Sequence, residues 1–267
     1  MQDIRDTVFR NICAKQFRAE LLAERDGILS GVEEAIAAAK ELGVVWNSSC
    51  KEGDKVTAGK PFAELIAGPK EMAMAEECVM GALSKASGIA TAANHAVSLA
   101  NGRVEIVAGA WKKMPPSMKH AVRQAVVSGG AQFRMCNLPM LYMDKNFVSM
   151  FGSVKAILQA VSHLTDMNKV VQIRGKLESV EQETLEALEG GATVLMVDTG
   201  RKSDVDICLK LLEEKNCRSS VKVAFAGNVS MEDIPMYADM GIDILCIGKE
   251  IVDAPLLDMK LNVLEEV

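Results

Sequence analysis

The spacing of apolar and polar positions changes several times along the chain, and the changes mark out its elements. Residues 18–24 alternate, which predicts a strand. Beyond an Asp26-Gly27 turn, Val32, Ile36, Ala39 and Leu42 fall at helical spacing. They predict an amphipathic helix over 31–42 with those four residues inside and Gly43 as its stop. Strands are expected at 44–46 and 62–67, around turns at 51–56 and 59–61. Gly68-Pro69 interrupts the pattern, and 70–99 reads as one long helical region. Ala73, Cys78, Val79, Leu83 and Ile89 share a face there, with a kink or break expected at Ser87-Gly88. Asn101-Gly102 is a sharp turn and marks the expected domain boundary.

From residue 104 onward, strand and helix signals alternate. Strands are predicted at 104–108, 138–143, 169–173, 193–197, 221–225 and 242–247. Helices are predicted at 117–127, 154–164, 180–188 and 204–215. A further helical face follows at Ile234, Tyr237, Ala238 and Met240, with Ser230 as N-cap, Asp233 in the capping-box position and Gly241 as the stop. Such βα alternation implies an α/β fold with a parallel sheet and helices outside it. The strands are too few for a full eight, so an incomplete barrel is expected. The expected domains are 1–101 and 102–253, with 254–267 packing back on the first.

Composition narrows the function classes. The chain has 267 residues, 49% hydrophobic and 25% charged, with a net charge of -6. An acidic balance and a pI near 5.3 argue against a nucleic-acid surface or a polybasic membrane patch. No apolar run reaches membrane-spanning length, and MQDIRDTVFR is too charged for a signal peptide, so a cytoplasmic place is expected. The seven cysteines form no CxxC and are expected to be buried free thiols. His95, His120 and His163 stand too far apart in sequence to suggest a His-based metal site.

Barrel sites gather where strands end. Trp111, Lys112, Lys113, Arg134, Asp144, Lys145, Arg174, Asp198, Asn228 and Lys249 are the candidates by that rule. A basic rim on an acidic protein suggests an anionic, phosphorylated ligand. Gly227-Asn228 and Gly248-Lys249 follow the last two strands, where glycine lets backbone N–H groups approach a phosphate. The alternative is that these glycines only turn the chain. Asp198 closes a buried strand and is placed to hold ribose hydroxyls, a cationic intermediate or a metal ion, or else to cap the turn before residue 204. Trp111, Phe133, Tyr142 and Phe147 cluster in sequence, as a flat-ring pocket or a local core plug.

These stretches resemble the quinolinate phosphoribosyltransferase family, over nearly the whole chain. The resemblance rests on RAELLAERDGILSGVEEA (18–35), KEGDKVTAGKPFAEL (51–65), EECVMGALSKASGIATAA (76–93) and KKMPPSMKHAV (112–122). It continues through SGGAQFRM (128–135), LEALEGGATVLMVD (185–198), AGNVSMEDIPMYADMGIDILCIG (226–248) and APLLDMKLNV (254–263). It implies an N-terminal α/β sandwich and a C-terminal, incomplete seven-stranded α/β barrel. It also implies a homodimer or larger homo-oligomer with a shared active site. The implied reaction moves ribose 5-phosphate from 5-phosphoribosyl 1-pyrophosphate (PRPP) to a ring nitrogen, with Mg²⁺ on the pyrophosphate.

Carried over residue by residue, the resemblance gives catalytic roles to Lys112 and Asp198. It gives phosphate contacts to Gly227, Asn228, Gly248 and Lys249 and an acceptor contact to Arg134, while Trp111 and Phe133 are expected to stack on the acceptor and Lys145 and Arg174 are further strand-end cations for it. Several family cation positions differ here. The arginine of "TRKT" falls on Trp111, the histidine of "HRM" on Phe133, the lysine of "KDNH" on Asp144, and an arginine before the long helix on Glu77. The family's "VEVE" is Val171-Gln172-Ile173-Arg174. A dicarboxylate needs cations in a dry pocket, so these changes point to a less anionic aromatic acceptor than quinolinate. An alignment shifted by one at 108–147 would instead bring Lys113 and Lys145 into use. The alternative class is a non-catalytic member that binds a phosphorylated metabolite, nucleotide or partner protein.

Overall fold

The structure is a computed structural model that describes residues 3–267. In chain order it begins with α1 (Ile4–Val8), β1 (Phe17–Ala23), β2 (Gly27–Ile28), α2 (Val32–Leu42), β3 (Val45–Asn47), β4 (Lys55–Val56), β5 (Pro61–Ala67) and α3 (Pro69–Ala100). Then come β6 (Glu105–Val107), α4 (Lys119–Ser128), β7 (Met140–Met143), α5 (Lys145–Phe151), α6 (Val154–Ala160), β8 (Asn168–Ile173) and α7 (Val180–Glu189). The chain closes with β9 (Val194–Asp198), α8 (Lys202–Glu214), β10 (Lys222–Ala226), α9 (Ile234–Ala238), β11 (Ile244–Cys246), α10 (Lys249–Val252) and β12 (Met259–Glu266). Two compact units result. One holds the described residues up to His95 with Trp111–Ala131 and Ile251–Val267, and the other holds Ala96–Ala110 and Gln132–Glu250. The sequence division at 101 and this division differ in where they place 96–101, 111–131 and 251–253.

The first unit is an antiparallel sheet in the order β12-β1-β5-β3, covered on one face by helices. Alternate residues Ala19, Leu21 and Ala23 of β1 and Ala63, Leu65 and Ala67 of β5 point into one core. They meet Val32, Ala35 and Ala39 of α2 and Met72, Ala75, Val79 and Leu83 of α3. Period 2 on the sheet thus meets period 3.6 on the helices. Two expected inner residues are not inside, because Ile36 and Cys78 are exposed. Nor does α3 break at Ser87-Gly88. Gly88 serves close approach instead, since a Cβ there would stand 2.1 Å from the Pro255 carbonyl oxygen.

The second unit is a parallel sheet in the order β6-β11-β10-β9-β8-β7, joined by right-length helical crossovers. It has six strands, not the seven that the resemblance implies. The next place beyond β6 is taken only by Gln132, through a single parallel bridge to Val107. One face carries Val107, Val170, Val194, Met196, Ala224 and Ile244, with Met135 and the partly buried Met140, Tyr142, Ala226 and Cys246 against them. This is the layered interior of a barrel-type sheet.

Several local expectations shift. The helix expected over 154–164 ends at Ala160, and α5 was not foreseen. Ser230 makes no cap bond to the backbone and donates to Asp233 Oδ2 at 2.8 Å, ahead of the short α9. All seven cysteines are free, but only Cys208 is buried, and Cys13 and Cys78 are exposed.

Candidate functional site at the strand ends

Strand periodicity selects the site. Side chains two apart share a face, so Gln172 lies on the inner face with Val170, and Asp198 with Val194 and Met196. Arg174 continues that parity one step beyond β8. At the carboxyl edge these three meet. Asp198 Oδ2 accepts from the Gln172 amide nitrogen and from Arg174 Nη1 at 3.3 Å. Gln172 Oε1 in turn accepts from the Lys145 backbone N–H at 2.6 Å, so it ties the start of α5 to the end of β9. The amide can do both, donating through its nitrogen and accepting through its oxygen, which a carboxylate cannot. A glutamate at this position would face Asp198 as a second unprotonated acceptor.

The loop after β8 is held from below by Glu183. This buried carboxylate accepts from the backbone N–H groups of Arg174 at 2.7 Å, Gly175 at 2.8 Å and Lys176 at 3.2 Å. Glu183 lies on the inward stripe of α7 with Val180, Thr184 and Ala187, at i, i+3, i+4 and i+7. Around this loop is a cavity of about 200 Å³ lined by Lys145, Val148, Ser149, Gln172, Arg174, Lys176, Leu177 and Glu183. Glu183, Lys176 and Ser149 were not among the sequence candidates. The apolar stripe around Glu183 was the available signal.

Asp144 has a different duty from a ligand contact. It is the N-cap of α5, and its Oδ1 accepts from Asn146 N at 2.8 Å and Phe147 N at 3.2 Å. Asp198, by contrast, caps no helix, because α8 starts from Arg201.

The loops after β9 and β10 touch backbone to backbone. Gly227 has φ +127, and a Cβ on it would meet Gly200 N and Cα at 2.5 Å. Gly200 N–H donates to the Ala226 carbonyl at 3.2 Å. Only glycine allows this approach, which sets Gly227-Asn228 beside the loop that follows Asp198. Lys249 opens α10 and is exposed.

Phe133 and Arg134 line a second cavity, of about 410 Å³, with Glu105, Gln132, Met135, Cys136, Asn137, Leu138 and Lys222. No residue is common to the two linings. Arg134 Cζ stands 4.7 Å from the Phe133 ring centroid. The thiol of Cys136 is pushed up by burial. Tyr142 sits within the sheet interior, where burial, then the neighbouring Cys246 and Asp198, push its hydroxyl far above the usual range. Phe147 is exposed on α5, so the rings of this unit do not form one flat-ring pocket. Trp111 and Lys112 belong to the first unit, in the 3-10 turn Ala110–Lys113, with Arg123 Cζ 5.0 Å from the Trp111 ring. Glu77, also in the first unit, pairs with Arg5 at 3.5 Å. Among the described residues no group of three or more His, Cys, Asp or Glu is placed to hold a metal ion. No described helix is long and apolar enough to cross a membrane.

Fold and site define a class: an α/β protein whose charged site stands at the carboxyl edge of an incomplete parallel barrel. Comparison with known proteins takes this further. The profile for the quinolinate phosphoribosyl transferase N-terminal domain matches residues 3–87, and that for the C-terminal domain matches 89–262. The chain belongs to the quinolinate phosphoribosyltransferase family, and so to the phosphoribosyltransferase enzymes. It is 24% identical over 249 residues to a probable nicotinate-nucleotide pyrophosphorylase (carboxylating) of Methanothermobacter thermautotrophicus, covering 92% of this chain and 88% of that protein. The human nicotinate-nucleotide pyrophosphorylase (carboxylating) is 27% identical, with 92% of this chain and 82% of that protein covered. The solved nicotinate-nucleotide pyrophosphorylase of Francisella tularensis superposes with a TM-score of 0.81 at 19% identity, covering 98% of this chain and 94% of that one.

Proposed function

We propose that the chain transfers ribose 5-phosphate from PRPP to the ring nitrogen of an aromatic acceptor other than quinolinate. The observation that carries this is Asp198 at the end of β9, flanked by the Gly200–Gly227 backbone contact. A fixed carboxylate there faces the positive charge that develops on the sugar as pyrophosphate leaves. Gly227, Asn228, Gly248 and Lys249 hold the 5-phosphate through backbone N–H groups and one ammonium. The acceptor ring lies in the β8-loop cavity, against its apolar lining residues Val148 and Leu177. The case against quinolinate rests on Trp111, Phe133, Asp144 and Glu77 standing at family cation positions, with Asp144 and Glu77 engaged elsewhere in the chain.

Pyrophosphate release from PRPP tests this, with quinolinate, nicotinate and uncharged nitrogen heterocycles offered in turn. Release with an uncharged ring and silence with quinolinate is the expected result. Release with quinolinate would overturn the acceptor assignment and keep the transferase. One observation favours a second reading, in which the chain binds without turnover. Arg174 and Gln172 both engage Asp198, which leaves less free carboxylate for the sugar. That reading predicts PRPP binding with no release for any acceptor.

A further inference from the structure

The strand-end carboxylate is not arranged as a metal ligand. Mg²⁺ is held by oxygen donors, usually one or two carboxylates together with phosphate oxygens and waters. At the end of β9 the available acid is Asp198, and its Oδ2 already accepts from the Arg174 guanidinium and the Gln172 amide. The other acid of the adjoining cavity, Glu183, is taken up by three backbone N–H groups. Asp144 is spent on the α5 cap. A divalent ion brought to Asp198 would face Arg174 at ion-pair range, and a half-buried setting weakens that repulsion little. The donor set therefore does not fit a resident Mg²⁺.

The same geometry supplies a positive charge of its own. Arg174 is anchored twice, by its backbone on Glu183 and by its guanidinium on Asp198. Lys145 and Lys176 line the same cavity, so three cations face one fully engaged acid. A guanidinium is always charged and presents a planar fork suited to phosphate oxygens.

We propose that Arg174 is the resident cation of the strand-end site. It gives a pyrophosphate-bearing ligand the positive charge that a divalent ion would otherwise bring, and ligand binding needs no metal. The ligand class rests on the phosphoribosyltransferase reading; the cation assignment rests on the Arg174–Asp198–Gln172 contacts.

Calorimetric titration of the full chain with PRPP, and separately with inorganic pyrophosphate, tests the proposal in EDTA and in excess MgCl₂. The wild type should bind with dissociation constants within about threefold of each other in the two buffers. Arg174→Gln should lose about tenfold or more in EDTA, with MgCl₂ recovering part of the loss because Asp198 is then free to accept a metal. Arg174→Lys, which keeps the charge, should retain metal-free binding, and this separates charge from folding. A wild type that loses about tenfold in EDTA overturns the proposal while leaving the transferase reading intact. Arg174→Gln binding like the wild type in EDTA also overturns it. Failure of both ligands to bind in either buffer overturns this proposal and the transferase reading together.

Discussion

The second unit carries two cavities, each with one arginine and one glutamate in its lining, together with two lysines in the one at the carboxyl edge and one lysine in the other. In the cavity at the carboxyl edge the arginine and the glutamate are both fixed. Glu183 gathers three backbone N–H groups, and Arg174 bridges from that clamp to Asp198. The other cavity runs from Gln132, level with the last residue of β6, to Glu105 and Lys222, which open β6 and β10. There Arg134 leans on the Phe133 ring, and Lys222 stands 4.0 Å from Glu105 with both side chains partly in solvent. An exposed pair of that kind contributes little. Similar residue types thus give two different things, and what separates them is preorganisation. Charges whose positions are fixed before a ligand arrives act without a reorganisation cost.

The contrast breaks most visibly at Asp198. Asp198→Ala removes the acceptor for both Arg174 and Gln172, so the triad loses its centre. Pyrophosphate release should fall by about 10²–10³. Kinetics with saturating PRPP decide this, and a loss smaller than about tenfold would mean that the chemistry lies elsewhere.

Glu183 comes next. Glu183→Ala leaves the three backbone N–H groups of the β8 loop without their charged acceptor. The second unit should lose about 2–3 kcal/mol, since hydrogen bonds to a buried charged group are the costly ones to lose. Urea titration followed in that unit measures it, with the exposed Lys176→Ala expected to shift the midpoint little. A shift below about 0.5 kcal/mol would show that the loop is held without Glu183.

Much of this organisation could be read from the residues, and the exceptions have physical reasons. Asp198 was legible because a run of buried β-branched and apolar residues ended in a carboxylate. Gly227 was legible because a glycine followed the next strand. Gln172 was visible as a departure from a familiar pattern, but its bond to Asp198 depends on the lateral pairing of β8 with β9, which no local pattern encodes. Helix α5 was missed because KNFVSMF is short and its apolar Phe147, Met150 and Phe151 lie exposed, so no buried stripe marks it. Ser87-Gly88 read as a break because glycine weakens a helix. Tertiary contact overrode that weakness, since only a residue without a side chain fits beside the Pro255 carbonyl.

A smaller effect follows from Cys208, which packs between α8 and α7 with its Sγ 3.2 Å from Thr184 Oγ1. Burial pushes its thiol up to about 11. The folded value lies above the unfolded one, so the folded chain keeps a proton that the unfolded chain releases. Its contribution is fully present below the ordinary thiol range and is lost as pH rises through about 11. It should amount to about 3 kcal/mol at most. Cys208→Ala should flatten the alkaline limb of a stability-versus-pH curve. An unchanged slope between the wild type and the variant would assign that limb to other groups.

The smallest effect is expected at Arg134, and it tests the comparison from the other side. A guanidinium over a half-exposed ring contributes about 0.5–1 kcal/mol. Arg134→Ala should therefore cost less than about 1 kcal/mol of stability and change PRPP binding by less than about threefold. Removing an arginine that is not preorganised takes away little that a ligand relies on. The informative quantity is the acceptor's KM. If it rises by about tenfold while PRPP binding stays put, the acceptor seats beside Phe133 rather than in the β8-loop cavity. The loosely held arginine would then be the one that moves to meet its ligand, and the fixed triad at Asp198 would serve the ribosyl phosphate alone.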